Sequence, residues 1–295
     1  MIDLVNKNNE CDTIIEKVNK SDISSIRVVL AQLMEIIHDP EWRAVELIRI
    51  IERDPTLTAK LIKVANSAYY GFTRNICTIH DAIVLVGFNT VKELSLNLTV
   101  CKLFNNTNCI NDYSRTALWK HCLSVAILNK FFYMREFRKP GEEAYIAGLL
   151  HDIGIIIEDQ FMQERFKCIL EHSKKNECNL PVSESNIIGF DHAEIGMKLA
   201  ESWNFPDELV VAIGNHHDPF KGNATHKKIS LMSFVSDYIC QRNDIGYCDA
   251  PYENQKAYKK CLMEMNIQES AVNLMVDDMI EEVQKIEKAG WFNYE

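Results

Sequence analysis

Histidine and aspartate side chains recur in this sequence at positions where a metal ion could use them. The clearest case is the stretch GLLHDIGIII, in which His151 and Asp152 follow an apolar run that predicts a helix. Imidazole nitrogen and carboxylate oxygen together suit iron, manganese, nickel or zinc, and one carboxylate can bridge two ions. A polar helix end is the alternative interpretation of this dipeptide, so the rest of the chain has to decide between the two.

The second half of the chain holds more side chains of these two types. They occur at helix ends or inside otherwise apolar segments, where burying a polar group is costly unless it has a partner. One or two divalent transition-metal ions would supply that partner, and the absence of cysteine from the set argues against a thiolate-bound structural zinc. The candidate metal ligands are His121, His151, Asp152, His192, His216, His217 and Asp237.

Several of these residues also have an ordinary structural explanation. A single histidine on an apolar face is more often a hydrogen-bonded core residue than a ligand. Asp191 and Glu194 have the capping-box spacing, which would make His192 a residue of a first helical turn. The pair His216–His217 ends a predicted helix, where the helix dipole favours a cationic imidazole. Asp237 has no comparable explanation, and the set as a whole favours a metal site.

The segments that must position these side chains are predicted to be helices. Apolar residues recur three and four positions apart along almost the whole chain, so we predict an all-α fold. The Asp-Pro pairs at 39–40 and 54–55 predict helix starts, because the aspartate can cap while proline takes the first helical position. Capping-box spacings begin at Thr78 and Thr90, and Gly87 separates the two helices that they predict.

The last predicted helix, residues 270–290, has an apolar stripe and a candidate C-cap glycine at its end. We expect the stripe to pack back on the core of the chain, and a dimer interface is the alternative. The stripe and the cap are Val272, Met275, Val276, Met279, Ile280, Val283, Ile286 and Gly290.

Composition narrows the class of protein. The chain has 295 residues, of which 47% are hydrophobic, enough for a sizeable core. Its 32 basic and 42 acidic residues give a formal charge of -10, which repels phosphate backbones and anionic lipids, and no basic stripe is present. The chain has ten cysteines without a CxxC pair, and it has no secretory leader. No apolar run approaches the roughly 20 residues of a membrane span. We therefore predict a cytoplasmic protein. We expect no membrane contact, and a nucleic-acid partner is disfavoured.

The order of the candidate ligands resembles that of the HD superfamily of metal-dependent phosphohydrolases. The step NHHDP, which contains His216 and His217, is similar to the HD-GYP branch, whose members hydrolyse cyclic-di-GMP. The flanking sequence resembles a sister branch, the HDOD domain, a bacterial signalling and regulatory module. The segments that carry this second resemblance are DPTLTAKLIKVANSAYYG, IHDAIVLVG, LWKHCLSVA, AGLLHDIG, HAEIGMKLAESWNFP and IGNHHDP.

The resemblance implies a helical subdomain followed by an HD-like helical core. Residues 103–115 are rich in Asn and Asp and break the helical pattern, so the main division is predicted there. We predict an N-terminal extension at 1–20, an HDOD domain made of an N-terminal helical subdomain at 21–110 and an HD-like core at 111–245, and C-terminal helices at 246–295.

The sequence departs from the catalytic HD-GYP branch at two points. Active members of that branch carry a lysine directly after the HDxG motif, where this chain has Ile155, and they carry a Gly-Tyr-Pro loop where this chain has DPFKGNATHKK. A cation near a scissile phosphate stabilises developing charge, and its loss can cost a factor of about a hundred or more in rate. Many HDOD domains are described as having lost the HD ligands, whereas this sequence keeps all seven. The resemblance therefore favours metal binding over catalysis.

Two functions remain open from the sequence. The favoured one is a cytoplasmic regulatory module that holds a metal for structure or for sensing a nucleotide or phosphate ligand, and whose N-terminal subdomain contacts protein partners in a signalling pathway. The alternative is a metal-dependent phosphohydrolase acting on a nucleotide or cyclic dinucleotide. In that case Asp152 is the candidate catalytic residue, bridging one ion held with His121, His151 and Asp237 and a second held with His192 and His216–His217.

Overall fold

The structure, a computed structural model, is built from α-helices, and the all-α prediction is confirmed. It describes residues 2–38, 44–105, 109–110, 113–221, 227–248 and 254–289. The first helices are α1 (Ile2–Asn19), α2 (Ile23–His38), α3 (Ala44–Glu52), α4 (Pro55–Ala65), α5 (Ile79–Val86) and α6 (Phe88–Cys101), which a single 3-10 turn, Lys102–Phe104, extends.

A short antiparallel pairing separates these helices from the next set. It joins β1 (Cys109–Ile110) to β2 (Tyr113–Ser114). The helices that follow are α7 (Arg115–Arg135), α8 (Glu142–Leu150), α9 (Ile153–Phe161), α10 (Gln163–Asn176), α11 (Leu180–Ile187), α12 (His192–Ser202), α13 (Asp207–Gly214), α14 (Lys227–Arg242), α15 (Gln255–Met265) and α16 (Glu269–Lys288). No helix in the described part of the chain combines the length and apolar character that crossing a bilayer requires.

The chain folds into two compact units. The large unit comprises Met1–Ser21 and Asn106–Ile280, and the small unit comprises Asp22–Asn105 and Glu281–Glu295. The predicted extension 1–20 and most of the predicted C-terminal region 246–295 therefore belong to the same unit as the second helical block.

Helix α1 is tied to the large unit by hydrogen bonds at its C-terminal end. The Asn19 side chain accepts a bond from the Trp203 indole N–H at 2.9 Å and donates to the Ser202 hydroxyl at 3.2 Å. Near the middle of α1, Lys198 donates to Asp12 at 2.6 Å. These contacts place α1 against α12, a helix that carries one of the candidate ligands.

Helix starts in the small unit follow the predicted caps at two places. Asp54 accepts a hydrogen bond from the Leu57 backbone N–H at 3.0 Å, with Pro55 in the first helical position. Thr78 caps α5 by accepting from the Asp81 backbone N–H at 3.0 Å. The helix start predicted at residues 39–40 lies outside the described residues.

The predicted cap at Thr90 is wrong, because α6 begins two residues earlier, at Phe88. Gly87 ends α5 and starts α6 at a single residue. Its N–H donates to the Ile83 carbonyl and its own carbonyl accepts from Val91 N–H, both at 3.1 Å. Its φ of +100° is a conformation that a residue with a Cβ rarely adopts, so glycine is what allows this abrupt junction.

The core of the large unit is formed where α7, α8 and α14 cross. A Cβ on Gly148 would lie 2.6 Å from the Ala126 Cα atom, so only glycine lets α8 approach α7 this closely. The Asn129 amide donates to the Ala144 carbonyl and to the Ser233 hydroxyl, each at 3.1 Å. A buried amide thus fixes the three helices on which four of the candidate ligands depend.

The apolar stripe of α16 is buried within the chain, as predicted from its spacing. Ile280 is the exception and is partly exposed. Gly290, the predicted cap, lies outside the described residues. The buried members are Val272, Met275, Val276, Met279, Val283 and Ile286.

Candidate metal centre

All seven predicted ligands lie together in the large unit, at helix ends or on helix faces that meet at one point. His121 is on α7 and Asp237 on α14, while the other five are at or beside helix termini. His151 and Asp152 form the break between α8 and α9, His192 is the first residue of α12, and His216 and His217 directly follow α13. Six of the seven are buried, and His217 is half-buried.

The Asp152 carboxylate is at the centre of the cluster. Its Oδ1 atom is 3.3 Å from His192 Nε2 and 3.4 Å from His216 Nε2. Its Oδ2 atom is 3.2 Å from His151 Nε2 and 3.7 Å from His121 Nε2. One carboxylate therefore faces four imidazoles, two on each oxygen.

The ligand atoms form two groups, each compact enough for one ion. Asp152, His192, His216 and His217 offer atoms that all lie within 4.8 Å of one another, and so do His121, His151 and Asp237. The shortest contacts are 2.7 Å between the Nε2 atoms of His192 and His217, and 3.1 Å between His121 Nε2 and Asp237 Oδ1. Asp152 lies between the groups, where a bridging carboxylate would have to be.

Backbone carbonyls determine which ring nitrogen of two histidines carries the proton. His151 Nδ1 is 2.7 Å from the Gly148 carbonyl oxygen, and His216 Nδ1 is 2.6 Å from the Ile213 carbonyl oxygen. A carbonyl only accepts, so Nδ1 donates and each neutral ring keeps its lone pair on Nε2.

Those two lone pairs point at Asp152 and make no hydrogen bond. Neither His151 Nε2 nor His216 Nε2 has a hydrogen-bond partner among the described residues, although both atoms are buried. Lone pairs of nitrogen and oxygen that face one another in a buried site repel, and a cation between them removes the repulsion. The donor set therefore fits a divalent metal ion.

Glu184 holds His192 in place, and sequence analysis missed it. Its carboxylate accepts from His192 Nδ1 at 2.8 Å and from the His192 backbone N–H at 2.9 Å. A carboxylate behind a metal-binding histidine fixes the ring orientation and increases its basicity. Glu184 lies on the short helix α11, and no spacing in the sequence marks it as a neighbour of His192.

Glu158, also missed, is fully buried next to Glu184. Burial, together with the charge of Glu184, raises the pKa of the Glu158 carboxyl well above its ordinary value. Glu158 and Glu184 therefore share a buried site in which a charge on one carboxylate disfavours a charge on the other. On the opposite side of the cluster, the Gln241 amide donates to Asp237 Oδ1 at 3.0 Å. Gln241 follows Asp237 by four residues, a helical spacing that does mark the pair in the sequence.

The electrostatics of the cluster keep its carboxylates charged. Burial alone would raise the pKa of Asp152, but positive charge on the surrounding imidazoles, first of all His151, outweighs burial and lowers that pKa well below its usual range, so Asp152 is ionised when a cation faces it. Burial and the neighbouring His216 and His192 lower the pKa of His217, so its ring is neutral. A charged carboxylate and a neutral imidazole are the forms that bind metals, whereas Asp237 and Glu184 outweigh burial and raise the pKa of His121 and His192, so metal binding at these two rings would release protons.

Gly154 allows α9 to cross the start of α12. A Cβ at this position would lie 2.0 Å from the His192 carbonyl oxygen. The glycine of GLLHDIGIII is therefore required by the close approach of backbone to backbone, directly beside a candidate ligand.

Two cavities meet the cluster. A small cavity of about 10 Å³ is bordered by His121, Asp152, Ile155 and Gln241 among others, and it has room for about one water molecule. An open cleft of about 590 Å³ begins at His217. His217 borders both spaces.

The ends of several helices bring histidine and aspartate side chains around one central carboxylate. The class of protein is therefore an all-helical protein with a candidate metal centre where its helices meet. The model of the HDOD domain family matches residues 23–219, which is about two thirds of the chain. This chain belongs to the HDOD domain family.

Proteins with a similar sequence or fold come from several bacteria. A protein of Treponema pallidum (strain Nichols), itself uncharacterized, is 25% identical over 239 residues, which cover 79% of this chain and 44% of that protein. The chain thus spans less than half the length of this relative. An HDOD domain protein of unknown function from Geobacter sulfurreducens has a TM-score of 0.76 at 23% identity, covering 90% of this chain and 92% of its own.

Two further solved structures share the fold. A candidate signal transduction protein from Marinobacter aquaeolei has a TM-score of 0.75 at 20% identity, covering 90% of this chain and 58% of its own. A candidate phosphohydrolase from Shewanella amazonensis has a TM-score of 0.69 at 20% identity, covering 95% of this chain and 97% of its own. At these identities the likeness concerns the fold alone.

Proposed function

We propose that this HDOD protein is a cytoplasmic signal-transduction module whose large unit binds one or two divalent transition-metal ions. The observation that carries the proposal is the convergence of three Nε2 atoms, those of His151, His192 and His216, on the Asp152 carboxylate. Two of these nitrogens have their lone pairs directed at the carboxylate by backbone carbonyls. The donor chemistry suits iron, manganese, nickel or zinc.

The two groups of ligand atoms suggest how two ions would be shared. One ion would be held by His192, His216 and His217, and the other by His121, His151 and Asp237, with Asp152 as a ligand to both. Glu184 and Gln241 would orient ligands without binding metal themselves.

The surroundings of the cluster support regulation over catalysis. The space beside Asp152 is about 10 Å³, too small for a substrate group larger than water. Ile155, which borders this space, stands where the catalytic branch that the sequence resembles has a lysine. The described residues that border the space include no lysine or arginine, so no side-chain cation there would add to the stabilisation that a metal ion gives to charge developing on a phosphate.

A phosphohydrolase is the second candidate, and one observation favours it. The cleft of about 590 Å³ reaches the cluster at His217, so a ligand in the cleft could present a phosphate there. A bound ion would polarise that phosphate and lower the pKa of a water molecule. His217, which is neutral because its pKa is lowered, would be the first protein group that such a ligand meets.

Elemental analysis of protein purified without chelator tests the metal site. We expect one to two equivalents of a transition metal in the wild-type protein and less than a tenth of that amount in Asp152→Ala. His80→Ala, which changes an exposed histidine on α5, is the matched control and should keep the wild-type content. Equal metal content in wild type and Asp152→Ala would contradict the proposal.

A hydrolysis assay on the same metal-loaded sample separates the two candidates. With cyclic dinucleotides, nucleotides and simple phosphate esters, the regulatory proposal expects no turnover. A rate of about 1 s⁻¹ or more, which is typical of enzymes, that disappears in Asp152→Ala would establish the phosphohydrolase instead.

Protein partners are proposed for the small unit. Four of its large apolar side chains are exposed: Val28, Val45, Phe72 and Val84. Cross-linking in intact cells followed by mass spectrometry should place partner cross-links on this unit, and fractionation of the same cells should find the protein in the cytoplasm. Cross-links confined to the large unit would contradict this assignment.

A further inference from the structure

We propose that the open cleft at His217 binds the uncharged polar part of a small phosphate monoester, such as a nucleoside or a sugar, while the phosphate faces the candidate metal centre. This inference rests on the proposed metal site and adds the class of ligand that the site receives. It concerns side chains of α11 and of the N-caps of α11, α12 and α15, all of which are outside the ligand set.

The position of the cleft connects it to the metal centre. Its volume of about 590 Å³ is within the range of small-molecule sites, roughly 300–1,000 Å³. His217 borders both the cleft and the small cavity beside Asp152, and its Nε2 atom is 2.7 Å from His192 Nε2. A ligand that fills the cleft therefore ends at the cluster.

The residues that border the cleft are mostly neutral and polar. Asn179, Ser185, Asn186 and Asn254 offer hydrogen-bond donors and acceptors, and Pro181 and Val182 offer an apolar surface. This mixture suits the hydroxyls of a sugar or the edge and face of a base. Among the described residues that border the cleft, there is no lysine or arginine that could pair with a second phosphate.

Three of the bordering residues are helix caps, which determines the charge of the cleft. Asn179, Asp191 and Asn254 accept from backbone N–H groups at the starts of α11, α12 and α15, at 3.2, 2.8 and 3.2 Å. Helix N-termini carry partial positive charge, but the Asp191 carboxylate offsets it. The caps use the oxygens of the asparagine amides, so a ligand would meet their nitrogens, which donate.

The distribution of charge between the metal centre and the cleft predicts which phosphate compounds bind most tightly. The candidate metal centre supplies positive charge for one phosphate, and the nearly neutral cleft supplies none for others. A monoester should therefore bind better than inorganic phosphate, because it adds contacts in the cleft. A triphosphate should gain little from the same nucleoside, because its additional charges would face Asp191.

Isothermal titration calorimetry on the full chain, with metal content measured on the same sample, tests this inference. The probes are inorganic phosphate, adenosine 5′-monophosphate, glucose 6-phosphate and adenosine triphosphate. We expect at least one monoester to bind tenfold or more tightly than inorganic phosphate and more tightly than the triphosphate. Asn186→Leu should weaken monoester binding at least fivefold and leave phosphate binding unchanged. Asn176→Leu, an exposed asparagine at the end of α10, should change neither.

The outcomes distinguish failure of the cleft from failure of the metal site. If the protein carries metal and binds inorganic phosphate, but no monoester binds more tightly and Asn186→Leu has no effect, the cleft assignment is overturned and the metal site stands. If the protein carries no metal and no probe binds, both are overturned.

Discussion

Among the described glycines, Gly154 has the least room for a larger side chain. A methyl group there would overlap the His192 carbonyl, so α9 must move away from α12 or the start of α12 must shift. We expect Gly154→Ala to cost about 3 kcal/mol of unfolding free energy and to weaken metal retention. Gly71→Ala, at a glycine with φ of +62° and no atom within 4 Å, is the control and should cost only about 1 kcal/mol. Urea unfolding measures both, and equal costs would show that backbone crowding is not the cause.

Glu184 is predicted to control metal affinity without touching the metal. Glu184→Gln keeps the shape of the side chain but removes the charge that increases the basicity of His192. Loss of such a partner typically weakens metal affinity by about 10- to 100-fold. Competition with a chromophoric chelator measures the affinity. An unchanged affinity would mean that Glu184 serves folding only.

Glu158 allows a prediction about pH. Its pKa is raised in the folded protein, so its contribution to stability is present below the unfolded value of 4.5 and is lost as the pH rises toward the folded pKa. Glu158→Gln cannot titrate and should remove this loss. We expect the variant to equal or exceed the wild type in unfolding free energy at neutral pH, with a flatter profile above pH 4.5. A variant less stable than wild type at every pH would contradict a raised pKa at Glu158.

Sequence analysis identified the seven residues of the cluster for a physical reason. Each is a polar side chain in an apolar setting, and this contrast is visible in the linear order. Glu184 and Glu158 could not be found in the same way, because their neighbours are mixed and their partner is brought near only by the crossing of α9, α11 and α12. Whether the seven residues bind metal stays a prediction.

At the scale of single elements, Asp54 combines two roles at the start of α4. It caps the helix and forms an ion pair with Lys102. Asp54→Ala should lower the unfolding free energy by about 1 kcal/mol because it removes the cap. Asp54→Asn keeps the cap and loses only the partly exposed ion pair, so it should lower the unfolding free energy by less. Urea unfolding of the two variants at neutral pH tests this order. The opposite order would assign the stability to the ion pair.

The same residue has a defined pH dependence. Burial alone would raise the pKa of Asp54, but hydrogen bonds from Lys102 and from the backbone outweigh burial and lower it below 3.8. The contribution of its charge is therefore present above that value and lost as the pH falls through the folded pKa. The difference between wild type and Asp54→Asn should shrink accordingly in acid.

The starts of α4, α5 and α6 show which helix boundaries can be predicted from a local sequence pattern. Asp54 and Thr78 were predicted as caps because a side chain and a backbone N–H three residues on are enough to make one. Thr90 has the same spacing, but the φ of Gly87 lets α6 start earlier. A spacing rule cannot decide between a cap and a glycine junction, because both satisfy the same backbone groups.

At the scale of the whole molecule, we expect metal removal to destabilise the large unit and to leave the small unit unchanged. The candidate ligands come from five helical regions of the large unit and from none of the small unit. At a metal concentration 100 to 1,000 times the dissociation constant, binding would stabilise the folded state by about 3 to 4 kcal/mol. Chelation should lower the melting temperature and increase hydrogen exchange at the α8–α9 break and the start of α12, while α4 to α6 keep their protection. Asp152→Ala should not respond to chelator.

The grouping of distant segments could not be predicted from local patterns. Helix α1 belongs to the large unit although α2 to α6 intervene, and α16 begins in one unit and ends in the other. Periodicity predicts that each segment is a helix with one apolar face, and it does not identify which face covers which. Periodicity was enough to predict the all-α fold, the resemblance to a family implied a helical subdomain followed by an HD-like core, and the packing of the first and last helices required the structure.

The residues of the cluster are far apart in the sequence, so the ribosome adds them to the chain at different times. The first member of the cluster, His121, leaves the ribosome well before its last, Asp237, because more than a hundred residues separate them. Until α14 has been made, one of the two ligand groups has only two of its three own members. If the cluster binds metal as proposed, a nascent chain would have its complete ligand set only after α14 has been translated, and metal retention would then mark a completed cluster.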